Sequence, residues 1–286
     1  MRILCAIATR GRPLRLAGTL HSLTTLASGK NQIDYVIGVD QDDKATLDLV
    51  PDLGGTYGCL SVVRPRPVTL GDAWNSLAKD REWDVCAIIA DKHLCLTPKW
   101  DTGIARLFGE HNLAAARWNL LDKPLESVLM LPRKWYEAVG YLLPPYFPFW
   151  FSERWVVEVF ELAFGAGLPM VPDMLIAEPP WKTQGLRDLK FWFDFFAKTR
   201  VDRVRQAHAI ATAFNIADPA IEAGLAKMRL ADAWQKPRIK GYYETRGDAR
   251  KDPPSPAYIA AKARAAAWLE QNATREFREM EPAGAA

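Results

Sequence analysis

Residues 2–8, apolar throughout after Arg2, read as a strand covered on both faces. Pro13 follows, at a place that suits the first turn of a helix. Leu16, Leu20, Leu23 and then Leu26 or Ala27 give that helix one apolar stripe. Further apolar runs at 33–39, 59–63 and 85–89 predict three more strands, and residues 70–78 have the pattern of a helix. Strand and helix alternate through this stretch, which predicts an α/β fold with a doubly wound, mostly parallel sheet. Ligands in such sheets bind beyond the carboxyl ends of the strands. The predicted ends here are Thr9-Arg10, Asp40-Gln41-Asp42-Asp43, Arg64 and Asp91-Lys92-His93, so polar side chains collect where a site is expected.

The second half reads differently. Residues 127–131 and 169–176 look extended, and 152–164 predict a helix with Trp155, Val159 and Leu162 on one face. From Val201 the chain is alanine-rich and helical, broken at Pro219 and over 237–256. A last helix is predicted over 258–272, and the tail to Ala286 is expected to fray. No internal repeat is present. This divides the chain into an α/β domain over 1–199 and a helical C-terminal extension over 200–286.

Composition narrows the class. With 49% hydrophobic and 25% charged residues in 286, the chain has the apolar mass of an ordinary soluble protein. A net charge of +3 is too mild to argue for nucleic acid or a membrane surface. Cys5, Cys59, Cys86 and Cys95 fall mostly inside apolar runs without metal-binding spacing, so they read as core thiols of a reducing compartment. Neither the short apolar N-terminus nor the proline-interrupted stretch 138–152 suits a leader or a membrane span, and a cytoplasmic location is expected.

The chemistry-bearing residues then bring a resemblance. Thr9, Arg12 and Pro13 after the first strand, the acidic cluster after the second and Gly71-Asp72-Ala73-Trp74-Asn75 on a helix follow one another in order. Asp91-Lys92-His93 with Thr97-Pro98-Lys99-Trp100-Asp101 completes the series. Together these resemble the nucleotide-diphospho-sugar glycosyltransferases of the GT-A fold, of the family-2-like bacterial and phage type, over about residues 2–190. The resemblance implies a Rossmann-like sheet and a nucleotide-sugar donor, UDP-sugar favoured. The donor would be held by Thr9, Arg10, Arg12, Asp40, Asp42, Arg64, Asn75, Asp91 and Lys92. Members that use Mn or Mg hold it with paired carboxylates. Here Lys92 replaces the second carboxylate, so weak or no metal dependence is expected, with Asp91 and His93 as the candidate ligands and Glu178 as a further one. The resemblance also offers Glu153 as the carboxylate that deprotonates the acceptor, and the aromatic loop 141–150 as a sugar platform.

Each residue also has a plainer use. Asp40 to Asp43 suit a helix cap, Asp91 and Lys92 a surface ion pair, Ser152 and Glu153 a helix start, and the aromatic loop a core. Two other functions stay open: a nucleotidyltransferase on a similar sheet, and a non-catalytic nucleotide-sugar-binding pseudoenzyme. The acceptor is open as well, a glycan or, given the phage-like resemblance, modified DNA.

Overall fold

In the computed structural model the described residues are 1–120, 128–149, 151–177, 187–217, 219–226, 228 and 253–272. The first half alternates as its pattern predicts. β1 (Arg2–Thr9), α1 (Pro13–Leu26), β2 (Gln32–Asp40), α2 (Lys44–Tyr57), β3 (Leu60–Arg64), α3 (Leu70–Ala78) and β4 (Val85–Ala90) follow in turn. Then come β5 (Leu94–Cys95), α4 (Trp100–Ala105), which runs into a π turn, β6 (Ala116–Leu120), β7 (Leu129–Pro132) and α5 (Arg133–Val139). The chain continues through α6 (Ser152–Phe164), β8 (Met170–Ala177), α7 (Leu189–Lys198), α8 (Arg200–Ala213) and α9 (Pro256–Asn272).

One eight-stranded sheet results, in the order β3-β2-β1-β4-β7-β6-β8-β5. Its first four strands are parallel throughout, and the antiparallel pairings, β4 with β7, β7 with β6 and β8 with β5, all involve the later strands.

The unbroken apolar runs are explained by cover on both faces. Ile3, Cys5, Ile7, Ile37 and Ile89 pack on one side with Leu16, Leu20 and Leu23 of α1. Leu4, Ala6, Val36, Cys86 and Ile88 pack on the other with Trp74 and Leu77 of α3 and with α6. Full burial of each such leucine contributes about 1.5–3 kcal/mol over leaving it exposed.

The helices begin where the side chains allow. Pro13 opens α1, Asp43 caps α2 by accepting from the Thr46 amide, and Thr69 with Asp72 forms a capping box on α3. Trp100 is fully buried and donates to the Leu23 carbonyl at 2.9 Å. Asp101 accepts from Ser28 N at 2.7 Å and Asn31 Nδ2 at 3.0 Å. The Trp-Asp pair therefore ties α4 to α1 and to the turn that follows it.

The aromatic loop is mostly core. Phe147 is fully buried, with Trp155, Trp192, Phe195 and Phe196 at ring-centroid distances of 5.5–6.1 Å. Trp150 lies outside the described residues, as do 121–127, Glu178 and most of 237–256. The helices beyond residue 199 share this core: Ala207, Ile210, Tyr258, Ala261 and Ala265 belong to the same buried cluster. Among the described residues no helix is long and apolar enough to cross a membrane.

Candidate functional site

The carboxyl ends of β1, β2 and β4 open into a cleft of about 360 Å³. The parallel register puts Thr9 beside Val39 and Ala8 beside Ala90, so the residues just beyond these strands become neighbours. Thr9, Arg10, Arg12, Asp40, Arg64 and Asp91 all line the cleft.

Asp91 is almost wholly buried, and both of its oxygens are engaged. One accepts from the Thr9 hydroxyl at 2.8 Å and the other from Arg12 Nη1 at 2.9 Å. Asp40 is also buried and accepts from Arg10 Nη1 at 2.7 Å. Arg10 reaches Asp42 as well, at 2.5 Å and 2.9 Å, and these hydrogen bonds pull the Asp42 carboxyl down to about 2. The acidic cluster thus divides its work. Asp40 and Asp42 hold Arg10, while Asp43 accepts from Gly11 N at 2.6 Å and caps α2.

Arg64 lines the cleft from the end of β3. Its guanidinium donates to the Ala73 carbonyl and the Ser76 hydroxyl, and burial lowers its pKa. Asn75 of the predicted set is turned to the backbone. It donates to the Leu143 carbonyl at 2.8 Å and accepts from the Leu142 and Leu143 amides at 2.9 and 3.1 Å, clamping that loop onto α3.

Lys92 is half-buried and is not among the described residues lining the cleft. His93 is buried, and its Nδ1 accepts from the Ala90 amide at 3.2 Å within its own turn. Glu153 sits half-buried in the first turn of α6, also outside the described lining.

The metal expectation can be tested on these donors. Asp91 already has both oxygens in hydrogen bonds, and His93 serves the β4–β5 turn. Among the described residues no three His, Cys, Asp or Glu side chains come together as a cation site. The described residues do not fit a Mn or Mg ion held by Asp91 and His93.

The lining carries Arg10, Arg12, Arg64, Arg66 and Arg187 against Asp40 and Asp91. That excess of positive charge suits an anionic group such as a diphosphate, which guanidinium forks bind in bidentate fashion. Arg66 follows Arg64 in an Arg-Pro-Arg-Pro loop, where flanking prolines favour an extended strand exit. That signal was available to sequence reasoning but not used. Arg187, Ser255 and Tyr258 also line the cleft, and no local pattern marks them.

Comparison with solved structures places the fold. The chain superposes on S. aureus TarS 1-349 in complex with UDP-GlcNAc with a TM-score of 0.57 at 11% identity, over 78% of this chain and 69% of that one. It matches the same TarS fragment in complex with UDP at 0.56 and 11%, over 78% and 68%. A mannosyltransferase from Pyrobaculum calidifontis in complex with GDP-Man and Mn2+ matches at 0.55 and 12%, over 98% of this chain and 83% of that one. The chain has a GT-A glycosyltransferase fold. No family profile and no curated relative matches the sequence.

Proposed function

We propose that the protein transfers a sugar from a nucleotide-diphospho-sugar to an acceptor hydroxyl, with UDP-sugars as the favoured donors. The observation that carries this reading is the charge of the cleft: its lining, in a GT-A fold, carries five arginines against two aspartates that are themselves already paired. Thr9 and Asp40 suit the hydroxyls and base of a nucleoside, and Arg10 and Arg12 a diphosphate. The lining arginines, with Lys92 next to Asp91 but outside the described lining, are read as supplying the positive charge that a metal supplies in metal-dependent glycosyltransferases. TarS, solved with UDP and with UDP-GlcNAc, makes UDP-sugars the first donors to test.

In the reaction so read, the acceptor O–H gives its proton to Glu153 and its oxygen bonds to the anomeric carbon. The bond from that carbon to the diphosphate oxygen breaks, and the nucleoside diphosphate leaves with the electron pair. The resemblance supports this role for Glu153, which stands in the first turn of α6, four residues along the chain from Phe149 of the cleft lining.

A binding-only protein is the second reading, and one observation favours it: Glu153 lies outside the described lining. Thermal-shift and turnover measurements across UDP- and GDP-sugars, with and without chelator, separate the two. The transferase reading expects stabilisation by a donor and persistence of both signals in chelator. It also expects turnover to fall about 100-fold in Glu153→Gln with donor binding retained. Binding without any sugar release supports the second reading. Turnover abolished by chelator and restored by manganese overturns the role given to Lys92 and the arginines.

A further inference from the structure

The cleft has one wall that the alternating half of the chain does not build. Arg187 reaches it from just before α7, and Ala257 and Tyr258 reach it from the first turn of α9. Tyr258 is buried, and its ring stacks on Phe149 at 6.1 Å and 10° between planes. Its hydroxyl accepts from Trp192 Nε1 at 3.0 Å and donates to Asp188 at 2.9 Å. Lys262, one turn further along α9, donates to the same carboxylate at 2.6 Å.

Asp188 has φ of 49°, a left-handed backbone that residues other than glycine seldom adopt. Burial opposes its ionisation, yet the bonds from Lys262 and Tyr258 hold its carboxyl below the usual range. The residue before it, Arg187, lines the cleft, with its guanidinium 5.9 Å from the Tyr258 ring centroid. Two turns along α9 from Tyr258, Arg264 donates to Asp72 at 3.0 Å and to the Pro145 carbonyl at 2.7 Å. Asp72 is the capping-box carboxylate of α3, whose first turns also line the cleft. One helix therefore joins Asp188 to the start of α3.

We infer that Arg187 and the first turn of α9 form a second, C-terminal half of the nucleoside-diphosphate site. Arg187 takes part of the diphosphate charge, and α9 is the strut that holds it there. The inference rests on the cleft being a nucleotide-sugar site. Because the bound diphosphate and the docked helix favour the same arrangement, each stabilises the other.

The probes are UDP and GDP, with uridine and guanosine as controls without phosphates. Calorimetry is expected to show Arg187→Ala weakening the diphosphate that wild type prefers by about tenfold or more, with the nucleoside nearly unaffected. Lys262→Ala and Arg264→Ala, neither of which lines the cleft, are expected to weaken the diphosphate in the same direction by loosening the strut. In the wild-type protein, saturation with the diphosphate is expected to slow amide hydrogen exchange over residues 256–266. That readout needs no variant to fold. A wild type that binds none of the four probes overturns the reading of the cleft, and this inference with it. A wild type that binds the diphosphate, with unchanged affinity in Arg187→Ala and unchanged exchange in α9, overturns the inference alone.

Discussion

The strand-end wall and the C-terminal wall of the cleft are held by different means. Thr9, Asp40 and Asp91 sit at the ends of strands whose neighbours are set by backbone ladders, and their own hydrogen bonds to one another and to Arg10 and Arg12 only refine the position. Arg187 and Tyr258 have no ladder. Their place depends on side-chain contacts of long sequence span: Tyr258 to Asp188, Lys262 to Asp188, Arg264 to Asp72, and aromatic rings packed around Phe147. A site side chain on a sheet is positioned by the fold as a whole, whereas one on a docked helix is positioned by a few contacts that single substitutions remove.

The largest expected effect lies in the helical part of the chain. Arg203 is fully buried and pairs with the buried Glu158 at 2.8 Å, and its guanidinium lies 4.0 Å from the Phe196 ring centroid. Arg203→Ala leaves the buried carboxylate only the longer contact from Arg154 Nε at 3.4 Å, and is expected to cost about 3 kcal/mol. On a chain of this size that is a Tm drop on the order of 10 °C in a thermal melt. Replacing both partners by apolar residues of similar volume is expected to recover most of the loss. A single variant that melts with wild type would show that the helices lean on the ring cluster and not on this pair.

Asp40→Asn sharpens the contrast from the other side. The amide keeps the shape at the end of β2 but weakens the hold on Arg10. Nucleoside-diphosphate affinity is expected to fall about tenfold by calorimetry, with Tm within a few degrees of wild type. Intact affinity with a Tm loss like that of Arg203→Ala would make Asp40 a strut and erase the distinction drawn here.

The smallest effect is in acid. Asp188 has its carboxyl held low in the folded protein, so its contribution is present above the ordinary carboxylate range and is lost as the pH falls through its folded value. Below about pH 4, α9 is expected to loosen before the sheet does. Brief cleavage with pepsin reads this, with cuts appearing first in residues 256–272. Simultaneous cutting of β1 and α9 would mean that the two walls come apart together.

The same contrast explains what could be read from the chain itself. The predicted helices over 70–78 and 152–164 match α3 and α6 to the residue, and the first-half strands fall within a residue of the predicted bounds, because apolar periodicity and caps are local signals. α7 has such a signal in Leu189, Trp192, Phe193 and Phe196, a helical stripe dense enough in aromatics to be passed over. The antiparallel insertion of β7 between β4 and β6 left no local trace, nor did the return of α9 to the cleft. Of the site, Thr9, Arg10, Arg12, Asp40, Arg64 and Asp91 were legible as strand ends and line the cleft. Asn75 was legible as a polar residue on a helix, but nothing local said that it would grip the 142–143 backbone.

Gly38, two residues before the carboxyl end of β2, has the Arg64 guanidinium lying across its face. A Cβ there would come within 2.6 Å of the guanidinium carbon. The two positions therefore constrain the order in which substitutions can accumulate. A lineage that first shortens the side chain at 64 opens position 38 to alanine or serine. One that first adds a methyl group at 38 must push the guanidinium off Ala73 and Ser76. Once position 38 has filled, arginine cannot return to 64 without displacing it. The missing methyl group thus couples these two positions, so that what one of them accepts depends on what the other holds.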